Sequence, residues 1–352
     1  MNGIWVERTP AAKRFRDRAG FANSRLNTIV VGLEAVKAGT ATKPADLAVY
    51  WNPKDVKSAA EWARGYATSA VMVYVVDALD TYMSDLALSG TWITNQAKAS
   101  ILANEFQTDV TEVQSLLPSM VTQLADNIVA LTNSHDELER NLRDFTARHF
   151  GRRKRPSMPM RFSTLLELAS GVLPQYRDAI HFLISWRNRH VHGRSSGRVS
   201  NAILSELNNN ADYFYENHSH LIVDRMIKNY NANGSPTLKE VSSLISVLHR
   251  VVSAVDKSIV NQADAKVVFI DALKSDFAQL DDAEQRVKDY WGKDVARRRM
   301  KLVAMAGKFG FREVVEGGPD QMPLHLSADE VQAISELPRD DFLELVGIKR
   351  LS

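Results

Sequence analysis

The stretch ISWRNRHVHGRSSGR, residues 184–198, brings two histidines and four arginines together with no acid among them. Within it, Arg187, Asn188 and His192 form the strongest candidate for chemistry. A neutral imidazole, titrating at about 6.5 when unperturbed, can take the proton of a ribose 2′-hydroxyl. A guanidinium can hold two phosphate oxygens with its planar fork and stabilise the charge that builds as phosphorus becomes five-coordinate. Together they fit cleavage of RNA by its own 2′-hydroxyl. The products would be a 2′,3′-cyclic phosphate and a 5′-hydroxyl, and no metal or cofactor is required.

The spacing sets a geometric demand. Arg187 and His192 lie about 140° apart around a straight helix, whereas Asn188 and His192 share a face. The arginine must reach round, the helix end must deform near Gly193, or a second subunit must complete the site. A plainer reading also stands: cations at a helix C-terminus offset the macrodipole.

Other residues rank below this group. Arg189, His190 and Arg194 flank it, and Arg152, Arg153 and Arg155 sit in the GRRKRP loop. All six are candidates for RNA phosphate contacts, with plain solvent exposure as the alternative. Asp77 and Asp80, three apart on an apolar helix, either orient Arg187 or His192 or form that helix's polar edge. His218 and His220 cannot share a helical face and make a poor metal site. Trp62, Tyr66 and Tyr82 recur at helical spacing and are expected in the core. Phosphate-binding glycine loops, dinucleotide fingerprints and Ser/His/Asp patterns do not occur.

The elements that must carry these residues read as helices almost throughout, so the expected class is all-α. Asn52-Pro53 offers a cap before a long helix carrying Ala59, Trp62, Tyr66, Ala70, Val73, Val76, Leu79, Met83 and Leu86. Further helices are expected near 93–106, 110–131 and 135–149. After the GRRKRPSMP loop, Pro174 opens a helix with the stripe Ile180, Leu183, Ile184 and Val191, and Gly193 ends it. Ser200 caps another, carrying Ile203 to Met226. NANGSP, residues 231–236, breaks the chain before a run from Leu238 to Ile259. Ser327-Ala-Asp-Glu330 is a capping box. The expected organisation is an N-terminal extension over 1–51, a helical domain over 52–230 with an insertion at about 90–160, and a C-terminal helical region over 236–352.

Bulk properties narrow the class. The chain has 352 residues, no cysteine and a net charge of +2. Lacking cysteine, it has no disulfide, thiolate zinc site or cysteine nucleophile, which suits a reducing compartment. The longest apolar run, Ala70 to Val76, is too short to span a membrane, and the N-terminus has no secretory pattern. A cytoplasmic protein is the expectation. The charge is unevenly spread: between Asp178 and Glu206 there are four arginines and no acid, whereas residues 313–352 carry nine acids and three bases. A basic middle points to a polyanion partner, and the acidic tail is a candidate restraint on it.

RNxxVHG at the end of an apolar helix resembles the signature of the HEPN superfamily, matched by Arg187, Asn188 and His192. The helix SAVMVYVVDALDTYMSDLA, residues 69–87, resembles the opening helix of such domains. The resemblance covers about residues 56–230. It implies a helical bundle that dimerises, bringing two Arg/His sets into one cleft, and a metal-independent endoribonuclease of toxin or anti-phage systems. Implied partners are RNA, single-stranded or a tRNA loop, a second copy of the chain, and an antitoxin or trigger protein. Implied roles are His192 as general base, Arg187 as electrostatic stabiliser and Asn188 as orienting neighbour. Relatives with a modifiable tyrosine two residues after the histidine differ here, where Arg194 stands. Two alternatives remain open: a non-catalytic HEPN-like RNA- or protein-binding module, and a helical scaffold or sensor.

Overall fold

The computed structural model describes residues 3–88, 92–105, 155–169, 171–193, 197–278, 283–313 and 325–348. These are predominantly helical, as the hydrophobic periodicity requires. Among them no helix is long and apolar enough to cross a membrane. The helices expected near 110–131 and 135–149 lie outside the described residues.

Helix α1 (Pro10–Lys37) begins at Thr9, whose hydroxyl accepts from Ala12 N at 3.1 Å, with proline at the first helical position. Ala11, Phe15, Ala19, Ala22, Leu26 and Val30 recur at spacings of three and four and are buried. The three alanines among them let α1 lie closely along α2 (Val56–Leu88), and Phe15, Leu26 and Val30 fill the core beside them. Asp55 starts α2, accepting from Lys57 N at 2.9 Å and Ser58 Oγ at 2.6 Å. It displaces the expected cap at Asn52, because a carboxylate taking several donors is the stronger N-terminal partner.

Helix α2 touches α1, α3 (Gln96–Leu102), α4 (Met158–Leu166), α5 (Pro174–His192) and α9 (Leu238–Gln262). Its buried face runs through Ala60, Ala67, Met72, Val75, Val76, Leu79, Tyr82, Met83 and Leu86. Tyr82 is in the core as expected. Trp62 and Tyr66 are not: each is 79% exposed. A helix apolar nearly all round does not reveal its inner face, and here α1 selects the alanine side.

Between α5 and α9 the chain forms α6 (Asn201–Asn209), α7 (Ala211–Asn217) and α8 (Val223–Asn231). One longer helix was expected; it breaks at Asn210 and again at Ser219 and His220, both at positive φ. The NANGSP break is a tight corner. Asn229 Nδ2 donates to Ser235 O at 2.8 Å and to Glu240 Oε2 at 3.1 Å, and Glu240 completes a capping box with Thr237.

Two apolar cores result. The first draws on residues from Ala11 to Ile259. The second combines Ile4 and Val6 with residues from Val260 to Val346. It is built by α10 (Ala265–Ala278), α11 (Ala283–Tyr290), α12 (Val295–Lys308), α13 (Ala328–Glu336) and α14 (Arg339–Leu345). A small antiparallel sheet joins them, with β1 (Ile4–Val6) between β2 (Phe311–Glu313) and β3 (His325–Leu326). Trp291 stacks on Phe342 at 3.6 Å and donates to Leu337 O at 2.8 Å.

The cores do not follow the breaks in composition. Residues 10–37 pack as α1 within the first core, and residues 4–6 enter the second, so this part of the chain is not an appendage. Helix α9 follows the break at 231–236 yet buries its stripe in the first core, which places the change of core near residue 260. Gly/Pro-rich composition marks where the chain turns; it does not say against what the next helix packs.

Candidate active site

Leu173 is extended and Pro174 occupies the first turn of α5. Its apolar face, Tyr176, Ala179, Ile180, Leu183, Ile184 and Trp186, is buried. Trp186 is fully enclosed, lies edge-on to Phe182 and Tyr230, and donates to Gly234 O at 3.3 Å. The last two turns are thereby anchored through aromatic packing before the charged residues begin. The helix continues without a break to His192 and ends on Gly193 at φ +87, whose N–H donates to Arg189 O at 3.1 Å.

Arg187 satisfies the geometric demand with its own side chain. Nη2 donates to Asp77 Oδ1 on α2 at 2.7 Å. Nη1 lies 3.2 Å from Asn188 Oδ1 and 3.5 Å from His192 Nε2. The guanidinium thus sits between a carboxylate on one helix and the imidazole on another, and the helix end does not need to bend. Of the two carboxylates three apart on α2, Asp77 faces Arg187. Asp80 pairs instead with buried Arg161, which also donates to Ser84 Oγ at 2.8 Å and, through Nε, to Leu102 O at 3.1 Å.

His192 is exposed and Asn188 half-buried. Nε of Arg187 and Nε of Arg189 are buried without a hydrogen-bond partner among the described residues. A buried donor left without water or a protein partner costs about 1–3 kcal/mol.

Arg189, expected on phosphate, is committed internally. Its guanidinium lies 3.8 Å from the Tyr230 ring centroid and donates to Tyr230 O at 2.7 Å. Tyr230 Oη in turn donates to Gly197 O. A Cβ at Gly197 would come within 2.1 Å of Ser185 O and 2.9 Å of Arg189 N, and its φ is +74. Only glycine lets this segment lie against the backbone of α5.

His190 is exposed at the surface. Partial desolvation holds its pKa below the usual imidazole value, a hydrogen bond with the Gly234 backbone opposes this, and Arg189 adds to the lowering. Arg155 is exposed. Arg152, Arg153 and Arg194 lie outside the described residues. His218 is buried with Tyr176 and Ser246, and His220 lies against Tyr215, so the two histidines face different partners.

Tyr230 and Gly197 carry no sequence signal for their part here, since both act through residues eight or more positions away. No protein-family model, no curated protein and no solved structure matches the chain.

Proposed function

We propose that the chain is a metal-independent endoribonuclease of HEPN type. The reading rests on one observation above the rest: Arg187 lies 3.5 Å from His192 and is held by Asp77 across a helix–helix contact. In this reading His192 Nε2 takes the 2′-hydroxyl proton and O2′ attacks phosphorus. The P–O5′ bond breaks, and O5′ leaves with a proton from water. Arg187 stabilises the five-coordinate phosphorus, and Asn188 fixes the guanidinium. Single-stranded RNA or a tRNA loop is the favoured substrate, because in-line attack needs a free backbone. Trp62 and Tyr66, exposed on α2, offer rings on which unpaired bases can stack.

The proposal extends to a homodimer that brings two such sites together, and to a defence or toxin role controlled by an antitoxin or trigger protein. The test is incubation of the purified protein with total RNA in EDTA. Cyclic-phosphate ends that disappear in His192→Ala support the proposal; intact RNA overturns it.

A binding module without cleavage is the second reading. It is favoured by the Asp77 carboxylate itself, which spends part of the Arg187 charge before any phosphate arrives. RNA binding lost in Arg187→Ala, with no ends formed by the unaltered protein, would select it.

A further inference from the structure

A cleft of about 800 Å³ opens at the far end of α5 from His192. Tyr176 lines it, and sixteen residues of helix separate Tyr176 from His192, about 24 Å. Its other walls come from α1, α7 and α9, through Arg16, Tyr213, Ser246, His249 and Arg250. Among the described residues that line it there is no carboxylate. Neither Arg16 nor Arg250 forms an ion pair with a described residue. The start of α5 adds to the positive potential: its first turn has no acid and no side-chain cap.

The wall is built from buried polar groups. Tyr176 is 5% exposed and His218 is 1% exposed. Tyr176 Oη lies 2.7 Å from Tyr213 Oη, 3.2 Å from His218 Nε2 and 3.4 Å from Arg250 Nη1. His218 Nδ1 lies 3.3 Å from Ser246 Oγ. Burial, then Arg250, holds the His218 pKa down at about 4, so the imidazole is neutral at ordinary pH. Whichever ring nitrogen carries the proton, Arg250 donates one N–H to Tyr176 and keeps the others for the cleft. The phenol, itself held by the imidazole, accepts from the guanidinium without neutralising it.

We propose that this cleft binds a small phosphate-bearing ligand of nucleotide size. Arg250 and Arg16 grip the phosphate, and Tyr213 provides an aromatic wall for the attached ring. A guanidinium bonded to a buried phenol, a second cation and the lack of acids among the described lining residues select an anion. The volume falls among those of small-molecule sites, about 300–1,000 Å³, and far exceeds a bare phosphate. The site stands independently of the ribonuclease reading.

The test is calorimetric titration of the intact protein with AMP, inorganic phosphate, adenosine and a short single-stranded RNA. It is repeated in Arg250→Gln, Arg16→Gln and Arg187→Ala. Arg16 and Arg250 are exposed, so their variants are expected to fold. AMP is expected to bind more tightly than phosphate or adenosine. That affinity should weaken about 10–100-fold in Arg250→Gln or Arg16→Gln and persist in Arg187→Ala. No binding of AMP at millimolar concentration overturns the proposal, as does AMP binding indifferent to both cleft substitutions. RNA binding sensitive to Arg250 without AMP binding also overturns it, by making the cleft a nucleic-acid groove.

Discussion

Asp77 Oδ1 on α2 accepts a hydrogen bond from Arg187 Nη2 on α5 at 2.7 Å, and the same guanidinium lies 3.5 Å from His192. Both partners are partly exposed, so the pair adds at most about 1 kcal/mol to stability and mainly positions the guanidinium. Asp77→Ala is therefore expected to reduce RNA cleavage about 10–100-fold while leaving the denaturation midpoint nearly unchanged. Single-turnover cleavage beside a urea titration checks this. An unchanged rate removes the positioning role.

His192→Ala is expected to lower cleavage about 100–10,000-fold, the range of a general base, again without loss of stability at this exposed helix end. Single-turnover rates and a melting curve on the same preparation are the measurements. A variant that retains half the parent rate would mean that another group removes the 2′-hydroxyl proton.

Arg161 is buried against Asp80 and donates to two further groups. Arg161→Ala leaves the Leu102 carbonyl without its side-chain donors, while Asp80, 45% exposed, turns to water; the expected cost is about 1–3 kcal/mol. Equilibrium denaturation reads the loss directly. A cost below about 1 kcal/mol would show that the contacts of the buried guanidinium are nearly neutral energetically.

Gly197→Ala forces a Cβ into Ser185 O at a positive φ. The expected result is a loss of at least 1–3 kcal/mol, or release of the segment from α5 with Tyr230 freed from Gly197. Calorimetry reads the first outcome, and proteolysis after Arg194 or Arg198 the second.

Asp256 accepts from Thr9 N at 3.0 Å and from Thr9 Oγ1 at 2.5 Å at the start of α1, yet burial raises its pKa to about 6. The folded state then holds this proton more firmly than the unfolded chain does. Its contribution is present at low pH and is lost as pH rises from about 4 to about 6, a loss of about 2–3 kcal/mol. His218, neutral and buried, acts in the opposite sense, adding stability as pH rises from about 4 to 6.5. Asp256→Asn should remove the falling component, so that stability climbs more steeply with pH than in the parent protein. Urea denaturation at pH 4, 5, 6 and 7 tests the slopes; parallel curves would show that Asp256 titrates normally.

Helix periodicity made α5, α9 and the capping box at Ser327 legible in the sequence, because each depends on residues within one or two turns. The conjunction of Arg187, Asn188 and His192 was legible for the same reason. Tertiary competition was not. Asp55 outbids Asn52 as a cap, and Trp62 and Tyr66 lie outside because α1 covers another face of α2. Charge alone groups Arg189 with the phosphate contacts, while the ring and carbonyl that occupy it belong to Tyr230, forty-one residues on. The small sheet was invisible because each strand is two or three residues long and pairs across nearly the whole chain.

That pairing has a consequence for how the protein is made. Ile4 and Val6 find their partners only at Phe311–Glu313 and His325–Leu326, about 300 residues later. At about 5–20 residues per second, the first strand waits roughly 15–60 s on the ribosome before its neighbours exist. Thr9 waits nearly as long for Asp256. Ile4 and Val6 are thus made long before they are covered, and β1 is a segment on which a chaperone has a long time to act.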